Sequence, residues 1–483
     1  MLLNLNIKSN YVLVIGFIIA NIILFSQEFY YLLLLPPLIL LIYVFIKKPV
    51  YIVYFLAFAT PLSIQLSEMG EGLSLSLPTE PLIILLFFGL LLKSIKAKAI
   101  DLRILKTTLA ILLLTDLTWM AITSLSSTMP LISLKYLVSK SWYLAVFYFL
   151  LTPLFRKHKV VKTFMWSFII AVVLLAMYTL YNHSAGGFSR SYAYTAMRPF
   201  LPDHGMYAAM ISFAVPILFV FARYGNKLNY SSFTRLFALG LCAFIVLAVA
   251  LSFTRASWLS LVISFGIYIA LLLKIKFRYL LFIGLGALAY LSVNFDDIVT
   301  ELSRNKSESD DNIEEHLQSV SNVSSDPSNL ERLNRWSCAY RMFEDKPVLG
   351  FGPGTYTFQY GVYQLPHEMT IISSNTGSLG NVHSEYLRPL VEGGMPAFIL
   401  FLSIVIVCCY MGFYQFKNLD GQGKYLSLAA LMALVTYFSH AVLNNYSEFD
   451  KIAVPLYACM AVLTAQQLNL RNKKDGLEEI QKK

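Results

Sequence analysis

Residues 235–274 read RLFALGLCAFIVLAVALSFTRASWLSLVISFGIYIALLLK, and between Arg235 and Lys274 the only charge is Arg255. An α-helix needs about 20 apolar residues to cross a hydrocarbon core, so the stretch is too long for one crossing and long enough for two. It predicts helices at 235–254 and 256–274 with Arg255 where they meet. A guanidinium at such a junction is either a snorkelling arginine at the lipid interface or an anion site.

The same texture extends outward in both directions. The chain is 57% hydrophobic and 14% charged, with a mean hydropathy of +0.62, against about 25% charged residues in a soluble globular chain. Apolar runs predict further helices at 11–25, 30–46, 50–64, 81–97, 105–124, 137–155, 161–181, 205–222, 278–294, 391–416, 425–443 and 450–468, fourteen in all, the short third one possible as a re-entrant segment. The first run, Tyr11–Phe25, reads as a retained span because no small-residue cleavage site follows it. The expected fold class is an all-α polytopic membrane protein with about 12–14 transmembrane helices and one large extracytoplasmic loop containing short helices. The expected divisions are 1–294 for the N-terminal helices, 295–390 for the loop region, 391–470 for the C-terminal helices and 471–483 for a tail.

A net charge of +10 would suggest nucleic acid in a soluble protein; here it is read through the positive-inside rule. With the N-terminus cytoplasmic, most of the basic residues fall in inside connections, such as Lys93, Lys96, Lys98, Arg103 and Lys106. Both termini are then cytoplasmic and the 295–390 segment is extracytoplasmic. Lys135, Lys140, Arg190, Arg198, Arg255 and Lys451 run against this bias and need another reason. The five cysteines lack disulfide or metal-ligand spacing, and no metal site is expected.

Within the loop, Ser328-Asn329-Leu330-Glu331 spells a capping box. Leu333, Trp336, Tyr340 and Phe343 follow at helical spacing, with Arg332 and Arg335 on another face. Pro347 ends this helix and the glycines of Gly350-Phe351-Gly352-Pro353-Gly354 form a tight turn, without the Lys-Ser/Thr of a nucleotide loop. His383 closes the loop in Asn381-Val382-His383-Ser384-Glu385-Tyr386-Leu387. If a helix begins near Asn381, its dipole keeps the imidazole neutral and competent as a base. A lone histidine is more often a structural one, and His204 in Pro202-Asp203-His204 is the nearest rival.

These motifs resemble the bacterial O-antigen ligase and O-antigen polymerase superfamily, the C-type glycosyltransferases that use polyprenyl-diphosphate glycans. The resemblance rests on Arg255 after Ser-Phe-Thr, on Arg332-x-x-x-Trp336 with Asp345-Lys346-Pro347-Val348-Leu349-Gly350, and on His383-Ser384-Glu385-Tyr386-Leu387-x-x-Leu390-x-Glu392-x-Gly394. Ser384 stands where the family more often has Asn. The resemblance implies a membrane glycosyltransferase moving a glycan from an undecaprenyl-diphosphate carrier to an acceptor hydroxyl at the extracytoplasmic face of the bacterial inner membrane. The leading expectation is a ligase with a lipid A-core glycolipid as acceptor, without cofactor or metal. The alternatives are a polymerase using a second lipid-linked repeat and, in another class, a transporter of lipid-linked glycans. On the ligase reading His383 is the catalytic base, and Arg255, Arg332, Arg335 and Arg198 hold the diphosphate. Glu385, Tyr386, Glu392 and His204 support them.

Overall fold

The computed structural model describes residues 7–25, 39, 43–45, 47–66, 75–95, 101–294, 327–369, 373 and 380–481. The chain divides into two units, Met1–Phe55 and Leu56–Lys483. The first contains α1 (Ile7–Phe25) and most of α2 (Pro49–Ala59), both apolar. The expected 30–46 helix lies largely, and residues 295–326 of the expected loop region wholly, outside the described residues.

In the second unit the long helices are α3 (Thr79–Ile95), α4 (Thr108–Leu125), α5 (Pro130–Leu144), α6 (His158–Ala185), α7 (His204–Ser212), α8 (Ala214–Tyr224), α9 (Ser232–Ala250), α10 (Arg255–Leu272), α11 (Phe277–Val293), α12 (Pro327–Asp345), α13 (Leu387–Asn418), α14 (Gly421–His440) and α15 (Asp450–Gln481). The only strands among the described residues are the two-residue β1 (Ile64–Gln65) and β2 (Ser76–Leu77), paired antiparallel. Eight spans among the described residues are long and apolar enough to cross a membrane, and four shorter apolar helices accompany them. The protein is therefore an all-α polytopic membrane protein.

Start signals in the sequence account for several boundaries. Thr107, Asp203 and Ser231 cap α4, α7 and α9 by accepting backbone N–H groups, and Pro130 opens α5, where its missing N–H costs nothing. α5 runs on through a wide π turn, Ala145–Leu150, into Leu151–Phe155. The α9–α10 junction matches the reading of residues 235–274, although α9 stops at Ala250 and the chain reverses through Phe253, at φ +52°. α15 continues through the segment expected as a tail.

The core is built around α14, which is buried along almost its whole length and packs against α8, α10, α13 and α15. Beside it, two of the unexplained basic residues find structural partners. Lys140 meets Asp116 of α4 at 2.7 Å, and Lys451 donates to the Ser63 carbonyl at 2.6 Å and to its hydroxyl at 2.8 Å. Each offsets its burial cost with charge-assisted hydrogen bonds.

The loop folds onto the start of α13 as a small core of its own. Cys338, Ala339 and Met342 of α12 pack with Phe351, Tyr356, Tyr360, Val382 and Val391. Arg341 grips Glu368 through both carboxylate oxygens, at 3.0 and 2.5 Å. The glycine turn sits where backbones meet: Phe351 N–H donates to Val391 O at 3.0 Å and Gly352 N–H to Glu392 O at 2.9 Å. A Cβ on Gly352, at φ +107°, would lie 2.1 Å from Ser127 Oγ, so only glycine fits.

Candidate active site

α12 faces the protein differently from its aromatic spacing. The buried positions are Glu331, Asn334, Arg335, Cys338, Ala339 and Met342, at intervals of three and four, while Tyr340 of the expected apolar stripe is 57% exposed. The stripe was misleading because this helix buries a polar ladder. Glu331 is part of that ladder and not of a capping box: the helix already starts at Pro327, and the Glu331 carboxylate accepts Arg335 Nε at 2.9 Å and the Ser373 hydroxyl.

Arg335 is thereby aimed at the end of the loop. Its Nη1 donates to the Asn381 carbonyl at 3.1 Å and meets His383 Nε2 at 3.0 Å. A guanidinium only donates, so Nε2 is the acceptor and the proton of the neutral ring belongs on Nδ1. Expectation and structure differ on why the ring stays neutral. His383 is not in a helical first turn: it adopts φ +51° in a bend four residues before α13, so the helix dipole is not what acts on it. Instead, burial pushes the imidazole down to about 3, the charges of Arg332 and Arg335 push the same way, and Asn444 opposes them. Ser384 turns the chain into α13, its hydroxyl accepting the N–H groups of Tyr386 at 3.3 Å and Leu387 at 3.4 Å.

Arg332 links this histidine to a second group of residues. Its charge acts on His204 and His440 as well as on His383. His204 opens α7 against the Tyr194 ring, with centroids 4.3 Å apart, and its carbonyl accepts the Thr254 hydroxyl at 3.4 Å. Thr254 immediately precedes Arg255, the first residue of α10, so this bond ties the start of that helix to His204. Tyr446 donates to Asp203 at 3.2 Å beside them and lies 6.1 Å, ring to ring, from His440. The sequence offered no sign that His440, Asn444 and Tyr446 join this group.

The other expected residues have different surroundings. Arg198 has an exposed side chain; its carbonyl accepts the Tyr178 hydroxyl at 2.7 Å, and among the described residues its guanidinium makes no contact with His383. Glu385 is buried and accepts the Tyr437 hydroxyl at 2.9 Å and the Ser447 N–H at 2.7 Å. Tyr386 donates to the Phe438 carbonyl at 3.2 Å. Glu392, also buried, accepts Arg388 Nε at 3.2 Å and the Tyr356 N–H at 3.3 Å. These bonds fix the His383–Glu392 segment against α14 and the glycine turn. Among the described residues no cluster of three His, Cys, Asp or Glu side chains could hold a metal ion.

A neutral imidazole held by guanidinium groups, at the loop edge of a helical membrane body, has the makings of an anion-binding acid–base site. Residues 237–402 match the family model described as O-antigen ligase, a likeness to the O-antigen ligase and polymerase superfamily over about a third of the chain. The matched segment contains Arg255, Arg332, Arg335 and His383. No curated protein matches the chain.

Proposed function

We propose that this protein transfers a glycan from an undecaprenyl-diphosphate carrier to an acceptor hydroxyl, as an O-antigen ligase does, on the outer face of the inner membrane. The observation that carries the reading is the Arg335–His383 contact inside the family-matched segment. The reaction needs a group to take the acceptor's hydroxyl proton and positive charge to hold the departing diphosphate. His383 serves as the base, and Arg332, Arg335 and Arg255 bind the diphosphate, their fixed charge standing ready throughout the step. Arg198, exposed, supports them in holding the diphosphate. His204 supports the site through Thr254.

In the resting protein the base lone pair on Nε2 is engaged by Arg335. An arriving diphosphate competes for that guanidinium, releases Nε2 and neutralises the charges that depress the imidazole. Donor binding thus makes His383 a stronger base when it is needed.

The test uses purified protein in detergent with lipid-linked glycan and lipid A-core. Wild-type protein is expected to join them and His383→Ala to lose transfer by roughly 100–10,000-fold, in line with removal of a general base; undiminished transfer by His383→Ala removes it from the mechanism. Deleting the gene distinguishes the acceptors: long glycans left unattached identify a ligase, single attached repeats a polymerase.

A further inference from the structure

A cavity of about 350 Å³, within the roughly 300–1,000 Å³ usual for small-molecule sites, lies on another side of the same segment. Glu385, Arg388 and Glu392 line it, but none of His383, Arg332, Arg335 or Arg255 does. It gathers the N-terminal ends of α3, α13 and α15, which contribute Glu80, Arg388 and Asp450, and the middle of α5, which contributes Lys135 and Tyr136. Helix N-termini favour negative charge, which accounts for carboxylates collecting at such a point.

The charges there are mostly already matched. Lys140 is paired with Asp116, and Arg388 reaches Glu392 at 3.2 Å and Glu448 at 2.7 Å while lying 4.6 Å over the Tyr136 ring. Arg388 is 6% exposed and held by these partners, with its Nη1 shut off from the cavity, so it shapes the wall and leaves ligand contact to the groups around it. Carboxyl groups outnumber cations on the wall, so a diphosphate or an acidic sugar is disfavoured. Carboxylates and cations set among Trp119, Leu113, Met120 and Phe438 suit a ring that carries hydroxyl groups at its edge and C–H groups on its faces.

We propose that this cavity binds a neutral or amino-bearing pyranose, the sugar whose hydroxyl accepts the transferred glycan. The assignment of that sugar as acceptor rests on the glycosyltransferase reading; the sugar site itself does not. Glu385 is two residues from His383, a backbone separation of at most about 7 Å, so a ring in the cavity can extend a hydroxyl toward the base. The protein then divides its substrates by charge, with the diphosphate among arginines and the acceptor among carboxylates.

Saturation-transfer NMR on the full chain in detergent, with glucose, galactose, glucosamine and glucuronate as probes, tests this. At least one of the first three is expected to bind and glucuronate not to. Glu448→Gln and the exposed Lys135→Ala, which spares the buried pairs, should each weaken binding roughly 10–100-fold. No binding by the three sugars, preference for glucuronate, or binding unchanged in both variants overturns the site. His383→Ala keeps the sugar signal if the two sites are separate, and loss of the signal in that variant overturns the separation. In the transfer assay Glu448→Gln should raise the acceptor KM and leave the donor KM unchanged; an unchanged acceptor KM overturns the acceptor role. A wild-type protein that binds the sugar and transfers nothing defeats the enzymatic reading alone.

Discussion

His383 owes its chemistry to its neighbours more than to its own backbone. With burial and two arginine charges holding the imidazole down to about 3, the free protein keeps it unprotonated across the ordinary working range. The kcat/KM profile, which reports the free enzyme, should therefore show no acid limb from this group above about pH 4. Burial, the larger cause, and Arg335 persist when Arg332 is replaced, so Arg332→Gln should move the acid limb of the residual activity upward from that of the wild type without restoring an ordinary imidazole; an acid limb that does not move upward argues against the electrostatic account. The left-handed backbone at this position also makes His383→Asn the gentler replacement, since Asn tolerates positive φ better than Ala. The sequence made the residue types legible, and the resemblance singled out the histidine and the arginines. It did not disclose the bond between Arg335 and His383, or the part of Asn444 and His440, because groups roughly fifty to sixty residues apart leave no periodic trace.

At the scale of elements, the apolar helices were readable because lipid demands length and composition together, and runs such as 235–274 satisfy both. α12 was readable as a helix but not in its orientation. Its aromatic spacing suggested one buried face, whereas the Glu331–Arg335 ladder and the small Cys338–Ala339 step occupy it. The glycine turn has the clearest mutational consequence. Gly352→Ala meets both the Ser127 side chain and a backbone penalty of about 1–3 kcal/mol, and it should lower the thermal midpoint of the purified protein and its activity together. A midpoint equal to wild type shows that the turn yields. The Asp116–Lys140 pair follows a different rule: leaving one buried charge alone costs about 3–5 kcal/mol, while removing both is far milder. Lys140→Met should thus be less stable than the Lys140→Met/Asp116→Leu double variant in thermal unfolding.

For the whole molecule, the distribution of Lys and Arg makes a directional statement that labelling can check. With the five native cysteines replaced, a cysteine at the exposed Tyr340 should react with a membrane-impermeant maleimide added to intact spheroplasts. One at Lys227, in the α8–α9 connection, should react only after lysis. The reverse pattern inverts the protein and moves His383 away from the outer face. The all-helical, membrane-spanning character was visible at this scale because it is a sum over many residues; of the fourteen helices expected, eight long spans and four shorter apolar helices stand among the described residues. The cavity was not, since it depends on three helix ends and the middle of α5 converging from positions scattered between Glu80 and Asp450.

The π turn at Ala145–Leu150 stores one surplus residue in the middle of a span. Excising a residue there lets the segment relax into ordinary helix and still cross the bilayer. It also turns the part before the excision by about 100° relative to the part after it. Tyr148 would keep its hold on Thr464, while Tyr136 and Lys140 swung out of alignment with α4 and α13. A single wide coil of backbone therefore acts as the phase setting between the anchoring half of this helix and the half that faces the cavity.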